Sequence, residues 1–135
     1  MAMNLSNPTA QTLVFPGSSA YTNSIYLSGM YEVVGVFIDQ LPANAAILRV
    51  QTSRSSLATA DASATFNDAL DKDYSAIDLT ATGTEMEDGV THVHFSPETF
   101  IIGPVRFRFS LLQSDGSTAV NGAADDTIYP VFRQI

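Results

Sequence analysis

The chain reads as an all-β protein, an antiparallel β-sandwich of jelly-roll-like type with about eight strands. Three observations predict this. In Gly103-Pro104-Val105-Arg106-Phe107-Arg108-Phe109-Ser110, the apolar Val105, Phe107 and Phe109 alternate with Arg106, Arg108 and Ser110. Side chains alternate across an extended backbone, so this run has one buried and one polar face. Short runs rich in β-branched and aromatic residues recur between Gly, Pro, Asn and Ser turn signals. No helical stripe of comparable strength competes with them.

Residues 1–10 read as a flexible lead-in, because Asn4, Ser6, Asn7 and Pro8 disfavour regular structure. Residues 11–135 then form a single β-sandwich domain. Residues 11–15 are short and apolar and end at Pro16-Gly17. Residues 24–28 and 31–38 are strand-like, with Ser28-Gly29 between them as a hairpin tip or a bulge. Gly35 weakens the second run and signals a bend or a close backbone approach. A turn at Leu41-Pro42-Ala43 leads to a strand over residues 46–53. Residues 54–74 are rich in Ser, Ala, Thr and Asp and read as a long loop, with a possible helical turn at residues 67–70. Long loops in small domains carry function or lie at interfaces. A strand over residues 74–81 would turn Ile77 and Leu79 inward. An acidic turn, a strand over residues 90–95 and a short helical turn at residues 97–100 follow. The signature strand comes next, then a Gly/Ser/Asp/Asn-rich loop over residues 113–126. Residues 127–135 close the chain. Pro130 has no N–H for a ladder, so this last strand is an edge or is bulged there.

Composition excludes several function classes. The chain has 135 residues, no Cys and no Trp, and a formal net charge of -8. Disulfides, thiolate metal sites and cysteine catalysis are therefore ruled out. Phosphate recognition needs a basic patch, so a nucleic-acid surface is not expected. No apolar run reaches the roughly 18–20 residues of a membrane helix. The first residues have neither a basic nor an apolar leader region, so a secretory signal is not expected. Acid is concentrated at Asp68, Asp71, Asp73, Asp78, Glu85, Glu87 and Asp88, opposed only by Lys72. This run is either a solvated face or a surface for a basic partner or a cation.

No residue pattern specifies catalysis, and the chain is not expected to be an enzyme or to need a cofactor. His92 and His94 stand at i and i+2, a spacing that can hold zinc if a third ligand such as Glu85, Glu87 or Asp88 converges. Asp71, Asp73 and Ser75 begin like a calcium loop, but Ala76 and Thr82 stand where glycine and glutamate are needed. There is no Gly-x-Ser-x-Gly elbow and no phosphate-binding glycine loop. For Arg106, Arg108, Arg49 and Arg133 two readings stay open. Each pairs with a cross-strand acid, or together they form a contact face.

The segment order resembles a recurring domain in virion structural proteins of tailed bacteriophages. The resemblance rests on Ser24-Ile25-Tyr26-Leu27, on residues 33–38 leading into Leu41-Pro42-Ala43, and on Ala46-Ile47-Leu48-Arg49-Val50-Gln51-Thr52-Ser53. It continues in Phe100-Ile101-Ile102-Gly103 before Val105-Arg106-Phe107-Arg108-Phe109, in residues 114–124, and in a last strand ending near Arg133. The chain departs from the pattern after Ser53, where it is richer in Ala and Ser, and at Asn44, where an aromatic residue is usual. The resemblance implies a capsid decoration, or cement, protein without chemistry of its own. Such a protein is made in the host cytoplasm, binds the major capsid protein on the virion surface, and is often a homotrimer. Candidate interface residues are Met3 and Leu5 in the lead-in, Arg54 and its loop to residue 73, and Arg106, Arg108 and Arg133. The alternatives are another virion component, such as a head-fibre base, tail or baseplate module, or a carbohydrate-binding module. The latter would stack sugars on Tyr21, Tyr26, Tyr31, Tyr74 or Tyr129.

Overall fold

A computed structural model describes residues 12–38, 41–42, 44–56, 58–80, 91–94, 100–123 and 126–134. The strands are β1 (Leu13–Val14), β2 (Ile25–Leu27), β3 (Met30–Ile38), β4 (Ile47–Ser53) and β5 (Asn67–Asp68). They continue with β6 (Asp78–Thr80), β7 (Thr91–His94), β8 (Phe100–Ile102), β9 (Val105–Leu112) and β10 (Thr127–Gln134). They form two antiparallel sheets. One runs β1-β10-β3-β7, with β8 also on β3, and the other runs β2-β9-β4-β5, with β6 also on β4. Since β7 and β8 share one edge of β3, and β5 and β6 one edge of β4, the ten strands occupy eight lanes. Apart from the steps from β4 to β5 and β6 and from β7 to β8, consecutive strands lie in different sheets. This is the jelly-roll order, two interlocked Greek keys.

The crossings explain the turn residues. Ser28-Gly29 is not a hairpin tip, because β2 and β3 belong to different sheets. The Gly29 carbonyl instead accepts from the Gly103 amide at 2.8 Å, which joins two crossings back to back. A Cβ on Gly103 would meet the carbonyl oxygens of Leu27 and Gly29. Only glycine allows that approach.

The two sheets close on one core. Phe107, Phe109 and Leu111 of β9 and Leu48 and Val50 of β4 face Val33, Val36, Ile128 and Phe132, all nearly fully buried. Rings lock the layers: Phe107 stands edge-on to Phe109 at 5.0 Å and to Phe132 at 5.3 Å, and Tyr31 edge-on to Phe132 at 6.1 Å. The edge of one ring carries partial positive charge and the face of the next negative, which favours this geometry. Inward residues on β3 change parity, from Tyr31 and Val33 to Val36 and Ile38. The cause is a register shift: Val131 pairs with Gly35 and Phe132 with Val33, which leaves Val34 as the extra residue of a bulge. The bend expected at Gly35 is this bulge. At Pro130, β1 no longer pairs, since it reaches only Ile128 and Thr127. The proline thus sits where that side of β10 carries no described ladder, as its missing N–H requires.

Two local expectations are corrected. Residues 67–70 hold no helical turn, because Asn67 and Asp68 add to the edge of β4 opposite Thr52 and Gln51. The helical turn lies earlier, as a short 3-10 turn at Asp61–Ser63. Strand β6 is shorter than the run over residues 74–81, but Ile77 and Leu79 are buried as expected. Met3, Leu5 and the Glu85, Glu87 and Asp88 turn lie outside the described residues, as does the helical turn expected at residues 97–100 except for Phe100, which begins β8. No helix among the described residues is long and apolar enough to cross a membrane.

Candidate functional site

The polar face of β9 is covered rather than open. The chain leaves β4 at Ser53, and residues 54–56 and 58–66 lie across the outer face of the β2-β9-β4 sheet, where they meet Arg106 and Arg108. Arg106 is consequently buried beneath its own polypeptide. Its guanidinium donates to the Asp61 carboxylate at 2.6 Å and to the Ser24 hydroxyl at 3.3 Å. It also donates to the carbonyls of Thr59 and, at 3.4 Å, Ser56. Asp61 in turn accepts from the Ser24 amide at 3.1 Å and from the Ser24 hydroxyl. Burial works against the Asp61 charge. The hydrogen bonds from Ser24 and the charges of Arg106 and Arg108 outweigh it, and the carboxyl sits below its ordinary value.

Arg108 lies two residues along the same face. Its guanidinium is held between the rings of Tyr21, at 4.0 Å, and Phe66, at 3.8 Å. Its Nε donates to Gln51 Oε1 at 2.9 Å, across the strand pair. Burial between the rings pushes it below the usual arginine value, against the opposing influence of Tyr21 and Asp61. It remains a cation at neutral pH. Tyr21 reaches it because residues 20–22 continue the edge of β9 beyond β2. There the Thr22 amide donates to the Phe109 carbonyl at 3.0 Å, and the Phe109 amide to the Thr22 hydroxyl at 3.0 Å.

Loop 16–23 and the 3-10 turn enclose a half-open cleft of about 370 Å³, with Arg108, Asp61, Asn23, Thr22, Tyr21 and Ser19 on its walls. It holds charged and hydrogen-bonding groups of both signs.

The remaining predicted residues divide. Arg133 pairs with Glu32, directly opposite on β3, and Glu32 is buried. Arg49 grips Asp78, directly opposite on β6, through Nε at 2.7 Å and Nη2 at 2.9 Å. That hydrogen bond, then the nearby acids, raise the Arg49 value against the cost of burial. Both are the cross-strand pairs anticipated for a polar sheet face. Arg106 pairs instead with a loop acid, and Arg54 stands exposed at the start of the covering segment. The structure brings Arg106 and Arg108 together under the covering segment and links Arg108 to Arg49 through Gln51 and Asp68, while Arg133 lies on the other sheet. In β7, His92 pairs with Phe37 and His94 with Gly35. Asp61, Ser24 and Asn23 had no signal in the sequence. Asp61 lies 45 residues from Arg106 in an Ala/Ser/Asp run that periodicity cannot resolve. The one available hint was that two arginines on one strand face need anionic or aromatic cover.

No family model matches the chain, and no curated protein or solved structure matches it.

Proposed function

We propose that the chain is a phage head decoration protein, which binds the major capsid protein as a homo-oligomer, in the trimeric form, and reinforces the shell. The observation that carries the reading is the strand order. An eight-lane jelly roll is an architecture of capsid and lectin domains. Fold-level analogy of this kind joins the resemblance in segment order to phage virion proteins.

The surface supports the reading. The hairpin between β5 and β6 presents Tyr74, 84% exposed, and Leu70, 52% exposed. Its tip is pre-set: Asp71 Oδ1 accepts from the amides of Asp73 at 2.8 Å and Ser75 at 3.0 Å. An exposed tyrosine on a pre-set turn offers a large contact area with little backbone entropy to lose on docking. A single Lys also leaves little long-chain entropy to lose.

The test compares heads that carry the protein with heads that lack it. Heads without it release DNA at a lower temperature, and adding the purified protein back restores the higher one. Identical release curves would refute the reading. The mass of the free protein in solution checks the trimer.

A further inference from the structure

The geometry points to the cleft beside Arg108 as a binding site for a small acidic sugar, a monosaccharide unit carrying a carboxylate. The inference does not depend on where the protein sits on a particle.

Three side chains on the cleft keep donors that no described residue takes up. Arg108 spends only its Nε, on Gln51, so both terminal nitrogens of the guanidinium lack a protein acceptor among the described residues. Asn23 spends its carbonyl, accepting from the Val14 amide at 2.8 Å, and its amide nitrogen donates to no described acceptor. The Ser19 hydroxyl accepts from the Tyr21 amide at 3.1 Å, and its own proton meets no acceptor among the described residues. Arg108, Asn23 and Ser19 line the same cleft. A site with surplus donors fits a ligand with surplus acceptors, which a carboxylate with ring and hydroxyl oxygens supplies.

The guanidinium is also pre-set. Rings at 4.0 and 3.8 Å on its two faces, with Nε fixed, leave the terminal nitrogen edge as the part available to a ligand. Planar, two-pronged recognition of a carboxylate uses such an edge. Asp61 also stands on the cleft wall and acts on Arg108, but its charge is shared with Arg106, to which it is paired at 2.6 Å, so it offsets Arg108 only in part. A volume of about 370 Å³ lies in the usual range for small-ligand sites. The spread of donors over Arg108, Asn23 and Ser19 favours a sugar ring over a single acidic side chain, which would engage only the arginine.

The experiment titrates the full-length protein with glucuronate, glucose, acetate and glutamate at low ionic strength, followed by NMR of the Arg108 Nε–H and Asn23 side-chain amide signals. Glucuronate is expected to saturate at millimolar concentration, the scale for a ligand of this size, and at least about tenfold more tightly than the other three. Asn23→Asp keeps the acceptor for the Val14 amide but replaces the donor with a charge. It is expected to remain folded, by an unchanged amide spectrum elsewhere, and to lose glucuronate binding. Acetate or glutamate binding as tightly as glucuronate overturns the sugar assignment in favour of a bare carboxylate site. Glucose binding equally overturns the role of Arg108. No saturable change at either reporter, or full binding by Asn23→Asp, overturns the site.

Discussion

Replacing Asp61 with alanine isolates what holds the covering segment to the sheet. The Arg106 side chain is 10% exposed and that of Asp61 40% exposed. Removing one partner of a fully buried pair costs about 3–5 kcal/mol, because the other charge is stranded. Two features reduce that figure here. Asp61 is partly solvated, and Arg106 keeps the carbonyls of Thr59 and Ser56 as acceptors. The expected loss is about 2 kcal/mol, which for a domain of this size lowers the Tm by about 8 °C. Thermal unfolding measures it. A double-mutant cycle with Arg106→Met should show coupling of at least about 1 kcal/mol. Amide exchange should rise first at Ser24, whose N–H Asp61 accepts. The pair also has a pH signature. The folded carboxyl lies below its unfolded value of 3.8, so its contribution is fully present above that value and is lost as pH falls through the folded one. The gap in Tm between the unaltered protein and Asp61→Asn should therefore close in acid. Additive single variants, or a Tm change within about 2 °C, would show that Asp61 does not anchor Arg106.

Gly103→Ala should destabilise by about 2–3 kcal/mol in denaturant titrations, because its methyl group would meet two backbone carbonyls that cannot rotate away. Tyr74 holds a left-handed backbone at φ 62 with its ring exposed. Tyr74→Asn should thus gain about 0.5 kcal/mol and Tyr74→Val lose about 1 kcal/mol, a contrast of sign readable by thermal unfolding. Asp115, which accepts from Thr118 through both its hydroxyl and its amide and from the Ser117 amide, has its carboxyl lowered to about 2. The turn it closes is intact above 3.8 and opens as pH falls toward about 2, and Thr118→Val should move the titration midpoint upward by carboxyl-detected NMR.

The strand class of the chain was legible because period-2 alternation is a local property. Val105, Phe107 and Phe109 declare their face without reference to any other segment. The bulge near Gly35 and the interrupted ladder at Pro130 were legible for the same reason, since each follows from the backbone chemistry of one residue. Ser28-Gly29 was not. A hairpin and a sheet-to-sheet crossing use the same turn residues, and only the pairing of β2 with β9 separates them. The asparagine and aspartate at 67 and 68 look like turn formers until the edge of β4 recruits them.

The candidate site shows the same boundary more sharply. Alternation put Arg106 and Arg108 on one face and left open whether that face met acids or a partner. It could not show that residues 58–66 return over it, since weak periodicity there carries no register. The sequence by itself determined which side chains share a strand face and that the chain closes as an all-β sandwich, because sterics and burial act between neighbours along the backbone. Only the tertiary structure decided that Asp61 meets Arg106, that two rings clasp Arg108, and that unspent donors gather in one cleft. Contacts between residues dozens of positions apart depend on how the loops close, and local preference does not encode that.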